Sequence, residues 1–204
     1  MVINMRYLKE KTVYQYEIHK SIFIAVIYPL NHLSDIKTYM EEVKESFPKA
    51  THYCSASLFG EHQEQQTADD DGEPSRTAGV PILDVLKHHD VTNILCVVVR
   101  YFGGIKLGGG GLIRAYTKAC AEVMKQASFY IKKYVPTYQL SFHYRDIDVI
   151  DRYLNEKATI TSKAFTDTVT YTCYLKPDVS KIDDILYLLI HHDLLDPQLL
   201  FIEA

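Results

Sequence analysis

Glycine is scarce in this sequence and confined to one region. All nine glycines of the 204 residues lie between Gly60 and Gly111, and six of them lie between Gly103 and Gly111. With 47% hydrophobic and 24% charged residues, the composition excludes disordered and collagen-like chains and predicts a globular protein. The clustered glycines mark two segments whose backbone conformation has to be explained.

Long apolar runs are also missing. The longest, such as residues 22–27 and 94–99, have about six residues, whereas a helix that spans a bilayer needs about 20. The first thirty residues contain no apolar stretch followed by a cleavage site of small residues. We therefore expect a cytoplasmic protein that does not contact membranes.

The four cysteines lack the spacing of a metal site or a disulfide framework. Cys54, Cys96, Cys120 and Cys173 are scattered, with no Cys-x-x-Cys pair. His52 and Cys54 share one face of a predicted strand, which would suit half a metal site or a nucleophile pair, but packing explains them more simply. We expect no cofactor and no metal.

Charge is distributed unevenly along the chain. The net charge is -4, but residues 61–90 carry two basic and eight acidic side chains, whereas residues 100–133 carry seven basic and one acidic. If each segment clusters in space, the protein has two surfaces of opposite sign. A net negative charge therefore does not exclude a nucleic-acid partner.

Apolar periodicity predicts an α+β first domain over residues 1–134. The predicted order is strand, strand, helix, strand, helix, strand, helix, with all helices on one face of the sheet in a two-layer β/α sandwich. The predicted elements are a hairpin of strands 14–18 and 22–27 turning at Lys20-Ser21, a helix capped by Ser34 and stopped by Pro48, a strand 50–59, a polar loop 60–79, a helix from Pro81 to His89, a strand 93–101 and a helix 112–127.

The pattern restarts in a second domain, residues 135–204. It predicts the order β-α-β-β-α-β, which is ferredoxin-like. The predicted elements are a strand 138–144, a helix capped by Asp146, strands 159–165 and 168–175, a helix 182–189 after the capping box Ser180-x-x-Asp183, and a strand 199–202. The pairs His88-His89 and His191-His192 are expected at helix C-termini, where imidazolium interacts with the helix dipole.

The glycine-rich segment 103–111 is the first candidate site. Glycine between a strand and a helix lets the backbone approach a ligand and leaves helix N–H groups free for phosphate. Nearby cations and aromatic rings suit phosphates and bases. Neither a P-loop nor a Rossmann motif is present, and the alternative is that the glycines only permit close packing. The candidates are Arg100, Tyr101, Phe102, Gly103, Gly104, Lys106, Gly108, Gly110, Gly111, Arg114 and Lys118.

The acidic segment around residues 69–79 is the second candidate site. Its carboxylates could bind Mg²⁺ or Ca²⁺, but the spacing of a calcium-binding loop is absent, so a solvated acidic loop is the simpler interpretation. The residues singled out in this loop are Asp71, Glu73, Ser75, Arg76 and Thr77.

Two long motifs contain both glycine-bearing segments. They are Asp71-Gly72-Glu73-Pro74-Ser75-x-Thr77-Ala78-Gly79-x-Pro81-Ile82-Leu83 and Val98-Val99-Arg100-Tyr101-Phe102-Gly103-Gly104-x-Lys106-Leu107-Gly108-x-Gly110-Gly111-Leu112-x-Arg114-Ala115-Tyr116. With Ser21-x-Phe23-Ile24-Ala25 and Ala50-Thr51-His52-x-Cys54, they resemble the signature of the IMPACT/YigZ family. The resemblance covers about residues 1–130, and the following segment resembles the small C-terminal domain of bacterial members.

This resemblance implies a fold and a functional class. The first domain is expected to be similar to domain IV of elongation factor G and the second to domain V of that factor. Eukaryotic relatives regulate translation by opposing activation of a kinase that senses amino-acid starvation, while bacterial members suggest nucleic-acid or ribosome binding. One departure is Arg76, because the family usually has glycine between Ser75 and Thr77.

Three functional hypotheses follow. The first is a non-catalytic RNA- or ribosome-binding protein that modulates translation, with the basic segment facing phosphates. The second is an enzyme acting on a small phosphorylated or peptide-like substrate between the two loops, with Asp71 and Glu73 as metal ligands or as acid and base. The third is an interaction module that docks a regulatory protein through the acidic loop. If both loops line one pocket, the enzyme is favoured.

Overall fold

The computed structural model describes residues 5–203 as two compact units. One unit ends at Ile131 and also includes Glu203, and the other runs from Lys132 to Ile202. The first unit contains β1 (Arg6–Leu8), β2 (Thr12–Ile18), β3 (Ser21–Pro29), α1 (Asp35–Ser46), β4 (His52–Phe59), β5 (Gln65–Asp69), α2 (Gly79–His88), β6 (Val91–Thr92), β7 (Ile94–Tyr101), α3 (Gly108–Gln126) and the start of β8 (Phe129–Phe142).

A five-stranded antiparallel sheet organises the first unit, in the order β2-β3-β7-β4-β5. β7 is the middle strand, and all of its residues except Tyr101 are buried. A strand covered on both faces has a continuous apolar sequence, and β7 (ILCVVVRY) fits this description up to Val99. Separately, the short β1 pairs with β6 on one side and with the first residues of β8 on the other.

The prediction that all helices lie on one face of the sheet is wrong. Phe23, Ala25 and Ile27 of β3 pack into a core with residues of α2 and α3. The alternate residues Ile24 and Val26 pack into a second core that includes residues of α1. The first unit therefore has three layers, because successive side chains of a strand point to opposite faces and both faces of β3 and β7 are apolar.

Three local features also differ from the predictions. The β2-β3 hairpin turns at His19 and Lys20, one residue earlier than predicted. Both residues have positive φ (46° and 63°), which is what a two-residue type I′ hairpin turn requires. Ser34 makes no capping hydrogen bond at α1; instead, the backbone N–H groups of residues 31 and 32 donate to the carboxylate of Asp35. The polar loop contains β5, an exposed strand at the sheet edge.

The second unit contains the rest of β8, a 3-10 turn (Tyr144–Asp146), α4 (Ile147–Lys157), β9 (Ala158–Phe165), β10 (Val169–Leu175), a 3-10 helix (Asp183–Leu188) and β11 (Leu189–Glu203). Its strand order is β11-β8-β10-β9, with β10 antiparallel to both neighbours. This is a split β-α-β arrangement. α4 packs Ile150 and Leu154 into the core of this unit.

The predicted second α-helix of this unit is a six-residue 3-10 helix. Ile182 and Ile185 are buried three residues apart, which matches three residues per turn and is not followed by a further buried position. β11 therefore begins at Leu189, ten residues before the predicted strand. His191 lies in β11 and not at a helix end, and its Nε2 is 3.0 Å from Asp193 Oδ1.

The other pair of histidines does lie at a helix C-terminus. His88 is the last residue of α2 and His89 follows it. Burial lowers the pKa of His89, and the nearby Arg6 lowers it further. None of the helices within residues 5–203 is both long and apolar enough for a membrane crossing.

Candidate nucleic-acid interface

The glycine-rich segment divides into a short loop and a helix start. α3 begins at Gly108, so the four consecutive glycines form its first turn and not a loop before it, as the sequence had suggested. Gly104 and Gly108 have positive φ (84° and 68°), which glycine adopts without steric cost. A Cβ on Gly103 would overlap the backbone carbonyl of Lys20. Different structural requirements therefore explain these glycines. Gly104 and Gly108 have positive φ, whereas Gly103 packs closely against the hairpin turn.

Beside this helix start lies a cavity of about 280 Å³ that we call the basic cavity. Lys106 comes from the loop, Arg114 and Lys118 come from α3, and His19 comes from the β2-β3 turn. No Asp or Glu lines it. Its lining is Tyr16, Ile18, His19, Ile105, Lys106, Leu107, Gly111, Arg114, Ala115 and Lys118.

Tyr16 forms the aromatic wall of the basic cavity. The Lys118 ammonium lies 4.8 Å from the centroid of the Tyr16 ring, within cation-π range. The Tyr16 hydroxyl donates to the backbone carbonyl of Ala115 at 2.8 Å. Burial raises the pKa of Tyr16, so the hydroxyl remains a donor at neutral pH. The positive charge of this cavity is consequently not reduced by a nearby phenolate.

On the other side of the loop lies a cavity of about 400 Å³, the loop-junction cavity. Both candidate segments contribute to it, because Glu73 and Pro74 come from the acidic segment and Gly108 and Gly109 from the glycine-rich one. Lys106 and Leu107 line both cavities. The remaining lining residues are Thr51, His52, Arg100, Phe102 and Leu112.

Arg100 lies inside the protein and is not a surface cation. It is 5% exposed, and its Nη1 donates to Glu73 Oε1 at 2.6 Å. Its guanidinium carbon is 5.5 Å from the Phe23 ring centroid and 5.4 Å from that of Phe102. Its Nε is buried without a hydrogen-bond partner in the described part of the chain. The charge of Arg100 is thus balanced internally by Glu73.

The two neighbouring aromatic residues have different environments. Tyr101 follows Arg100 in β7 and therefore points to the opposite face of the sheet, where its hydroxyl donates to the carbonyl of Pro48 at 3.1 Å. Phe102 is 46% exposed and lines the loop-junction cavity. Of the pair, only Phe102 shares a cavity with the glycine-rich segment.

The acidic segment is ordered by its own carboxylates. Asp71 Oδ2 accepts from the backbone N–H of Tyr53 at 2.6 Å, and its carbonyl accepts from His52 Nδ1 at 2.7 Å. Thr77 is buried, and its hydroxyl donates to the carbonyl of Pro74 at 2.6 Å. The Oδ2 and the backbone carbonyl of Asp71 are therefore already engaged in hydrogen bonds within the protein. No group of three or more potential metal ligands occurs among the described residues.

Asp70 has a structural role that the sequence analysis missed. Its carboxylate accepts from the backbone N–H groups of Arg76, Ala78 and Gly79 at 2.6, 2.9 and 2.8 Å, which caps the start of α2. Burial raises the pKa of Asp70, but these hydrogen bonds outweigh it and hold the pKa below the ordinary 3.8. Because Asp70 is nine residues from Gly79, no local capping motif reveals this contact.

Ser75 and Arg76 do not join either cavity. Ser75 is exposed, and Arg76 has a φ of +63°, the left-handed region that favours glycine. Arg76 lines a third cavity of about 640 Å³ next to α2 and α3. Glycine would adopt this left-handed backbone without the steric cost that Arg76 carries.

Buried hydrogen bonds connect α3 to the sheet through Glu73. The Tyr116 hydroxyl donates to Glu73 Oε1 at 2.8 Å, and Cys54 Sγ lies 3.3 Å from the Tyr116 hydroxyl. Burial raises the pKa of the Cys54 thiol to about 12. His52 and Cys54 therefore pack against the acidic segment, and a thiolate nucleophile does not form there at neutral pH.

The chain is similar to several known proteins. The Impact N-terminal domain model matches residues 19–124. IMPACT family member YvyE of Bacillus subtilis (strain 168) is 36% identical over 170 residues, 83% of this chain and 78% of the relative. IMPACT family member YigZ of Escherichia coli (strain K12) is 36% identical over 142 residues, 69% of this chain and 70% of that protein.

A solved structure shares the fold. A crystal structure of a hypothetical protein has a TM-score of 0.61 and 31% identity, and the match covers 84% of this chain and 85% of that one. The matched residues 19–124 include both glycine-bearing segments and all the residues that line the two cavities, except Tyr16 and Ile18. On these grounds the chain belongs to the IMPACT family.

Proposed function

We propose that this protein is a non-catalytic RNA- or ribosome-binding protein that modulates translation. The observation that carries the proposal is the basic cavity, in which Lys106, Arg114 and Lys118 meet with no carboxylate in the lining. Such a cavity attracts phosphate. Each cation is drawn electrostatically to a phosphodiester, and its binding releases a counterion that was condensed on the nucleic acid.

The geometry changes which residues are assigned to phosphate. Lys106, Arg114 and Lys118 face the cavity, whereas Arg100 is buried and paired with Glu73. The start of α3 adds the positive end of a 19-residue helix beside Gly111. His19 becomes an additional candidate, supplied by the hairpin turn. The sequence could not indicate His19, because it lies 87 residues before Lys106.

Membership in the IMPACT family supports the translational role. The family resemblance implies units similar to domains IV and V of elongation factor G, a factor that works on the ribosome. Ribosomes expose RNA phosphates, and these match the chemistry of the basic cavity. On this proposal the first unit contacts RNA, and the cytoplasm is the compartment in which the protein acts.

The test is the salt dependence of RNA binding by a Lys106→Ala/Arg114→Ala variant. If each cation contacts one phosphate, the slope of log K against log salt for single-stranded RNA should become shallower by about 1.4. A matched control is Lys37→Ala/Lys44→Ala, which removes two exposed cations from α1 on the other face of the sheet. Binding that responds neither to salt nor to the first variant rejects the proposal.

A second candidate, an enzyme, is favoured by one specific observation. Both loops line the loop-junction cavity, where His52 and Glu73 lie near Lys106. A small phosphorylated or peptide-like substrate would fit this volume. Thermal denaturation with nucleotides, with and without Mg²⁺, checks this candidate. A stabilisation that requires Mg²⁺ supports it, and an unchanged Tm with every ligand counts against it.

A further inference from the structure

We propose that the loop-junction cavity receives one unpaired purine base of an RNA strand whose phosphates lie in the basic cavity. This inference rests on the proposed function and specifies its ligand. The two cavities lie on either side of one loop and share Lys106 and Leu107 as lining residues. A strand can therefore place a phosphate on one side of this loop and turn its base into the other.

The first argument is the unsatisfied donor of Arg100. A buried N–H without a partner costs free energy, and exceptions in native structures call for an explanation. Arg100 is 5% exposed, lines this cavity, and has no acceptor for its Nε within residues 5–203. Because the Nε is covered in the free protein, a ligand acceptor removes the penalty when its entry displaces the groups that cover this N–H. Purine N7 and O6 are acceptors of the kind that guanidinium groups bind in base recognition.

The second argument is the pair of acceptors beside Arg100. The described hydrogen bonds of Glu73 engage only Oε1, so Oε2 is available to accept from a ligand N–H. His52 Nδ1 lies 2.7 Å from the carbonyl of Asp71 and therefore donates to it, which leaves Nε2 as the acceptor of the neutral imidazole; Nε2 lies 3.9 Å from Glu73 Oε1. The side chain of His52 is 19% exposed. A base edge, which presents N–H groups next to acceptors, complements this set, and a bare phosphate does not.

The third argument is the ring of Phe102. It is 46% exposed although it is a large apolar side chain, and it forms a wall of the cavity next to Leu107 and Leu112. Proteins that bind single-stranded nucleic acids stack bases on such rings. At about 400 Å³ the cavity is within the range of small-molecule sites. The larger ring system of a purine covers Phe102 better than a pyrimidine does.

The carboxylate explains why a base and not the phosphate occupies this cavity. Glu73 already neutralises Arg100, so a phosphate placed there would meet a carboxylate as well as a guanidinium and would gain less than beside an unpaired cation. The basic cavity has no such group. The structure thus separates the two parts of a nucleotide by charge, with the anionic part on one side of Lys106 and the neutral base on the other.

The experiment compares three RNA hexamers of equal charge at low salt: adenosine, uridine and an abasic ribose-phosphate chain. We expect the adenosine hexamer to bind about tenfold more tightly than the abasic one, with uridine between them. Phe102→Ala should reduce adenosine binding to the abasic level and leave abasic binding unchanged. Phe102→Tyr, which retains a ring, should restore the preference.

A matched control and the opposite outcomes complete the design. Ile113→Ala removes another exposed apolar side chain, 42% exposed, from a residue outside both cavities, and should change nothing. Lys118→Ala should weaken all three hexamers equally. Equal affinities for the three, or uridine binding as tightly as adenosine, overturn the purine pocket while the proposed function survives. If no hexamer binds, the proposed function fails and the purine pocket with it.

Discussion

The two cavities on either side of Lys106 differ in how their charged groups are used. In the basic cavity, Arg114 and Lys118 share a lining that includes no Asp or Glu among residues 5–203. In the loop-junction cavity, Arg100 is buried and its charge is balanced by Glu73. Residues that look equivalent in the sequence, all cations near glycine, therefore divide into binding groups and structural groups. Burial and partner decide the role of a charge, and these come from the fold.

The largest expected effect is on the free energy of unfolding, when a cation is removed from each of the two cavities. Arg100→Met leaves Glu73 buried without its counter-charge, which should lower the free energy of unfolding by about 3–5 kcal/mol. Arg114→Met at the exposed cation should change it by less than about 0.5 kcal/mol. Urea denaturation of both variants measures the difference. Arg100→Met/Glu73→Gln should recover part of the loss, and similar values for Arg100→Met and Arg114→Met would refute the structural role of Arg100.

A smaller effect should separate the glycines. Gly103→Ala forces a methyl group against the backbone of Lys20, which should cost about 1–3 kcal/mol by analogy with overpacking in cores. Gly109→Ala has room, since the nearest atom to its Cβ would be Thr77 Cγ2 at 4.0 Å, and should stabilise α3 by up to about 1 kcal/mol. Thermal denaturation distinguishes the two variants, and equal destabilisation would contradict the close packing at Gly103 and the free space at Gly109.

The Asp70 cap in the acidic segment should contribute about 1–2 kcal/mol to the free energy of unfolding, and this contribution should depend on pH. Asp70 caps α2 as a carboxylate, and its replacement by Ala removes that cap. Because the pKa of Asp70 is lower in the folded state than its ordinary 3.8, its stabilisation is present above pH 4 and declines as the pH falls through the folded pKa. Denaturation of the parent protein and of Asp70→Ala should give free energies of unfolding that differ by a large amount at pH 7 and by a small amount at pH 2. A pH-independent difference would argue against carboxylate capping.

The smallest effect is expected at Arg76. Arg76→Gly relieves a left-handed backbone conformation, at the cost of greater freedom in the unfolded chain, and should stabilise the protein by about 0.5 kcal/mol. Since Arg76 lines neither of the two cavities, RNA affinity should be unchanged. Denaturation and RNA titration of the same preparation test both statements, and weaker RNA binding would place Arg76 in the interface.

The sequence predicts features whose pattern is local. The spacing of apolar residues located α2, α3 and the central strand to within a few residues, and the two motifs identified the IMPACT family. The third layer was not found, because a strand buried on both faces gives no indication of which helix covers which face. The helix at 182–189 was predicted from a capping box and apolar spacing, yet those residues fold partly as a 3-10 helix.

Partners that are distant in the sequence account for the remaining differences at the site. Arg100 and Glu73 are 27 residues apart, and His19 reaches the basic cavity through a hairpin turn. Tyr116 lies on the buried face of α3, but the hydrogen bond from its hydroxyl to Glu73 could not be inferred from that face. Composition gave the number of cations, whereas only the packed sheet determines which of them are exposed.

The Tyr116 hydroxyl fixes the rotation of α3 about its own axis. Apolar packing tolerates small rotations of a helix, whereas a buried hydrogen bond of 2.8 Å is lost when its donor moves by about an ångström. Arg114 and Lys118 are each two residues from Tyr116 along α3. The angular position of the two backbone sites that carry these exposed cations is therefore set by a contact inside the protein, between residues that do not line the basic cavity.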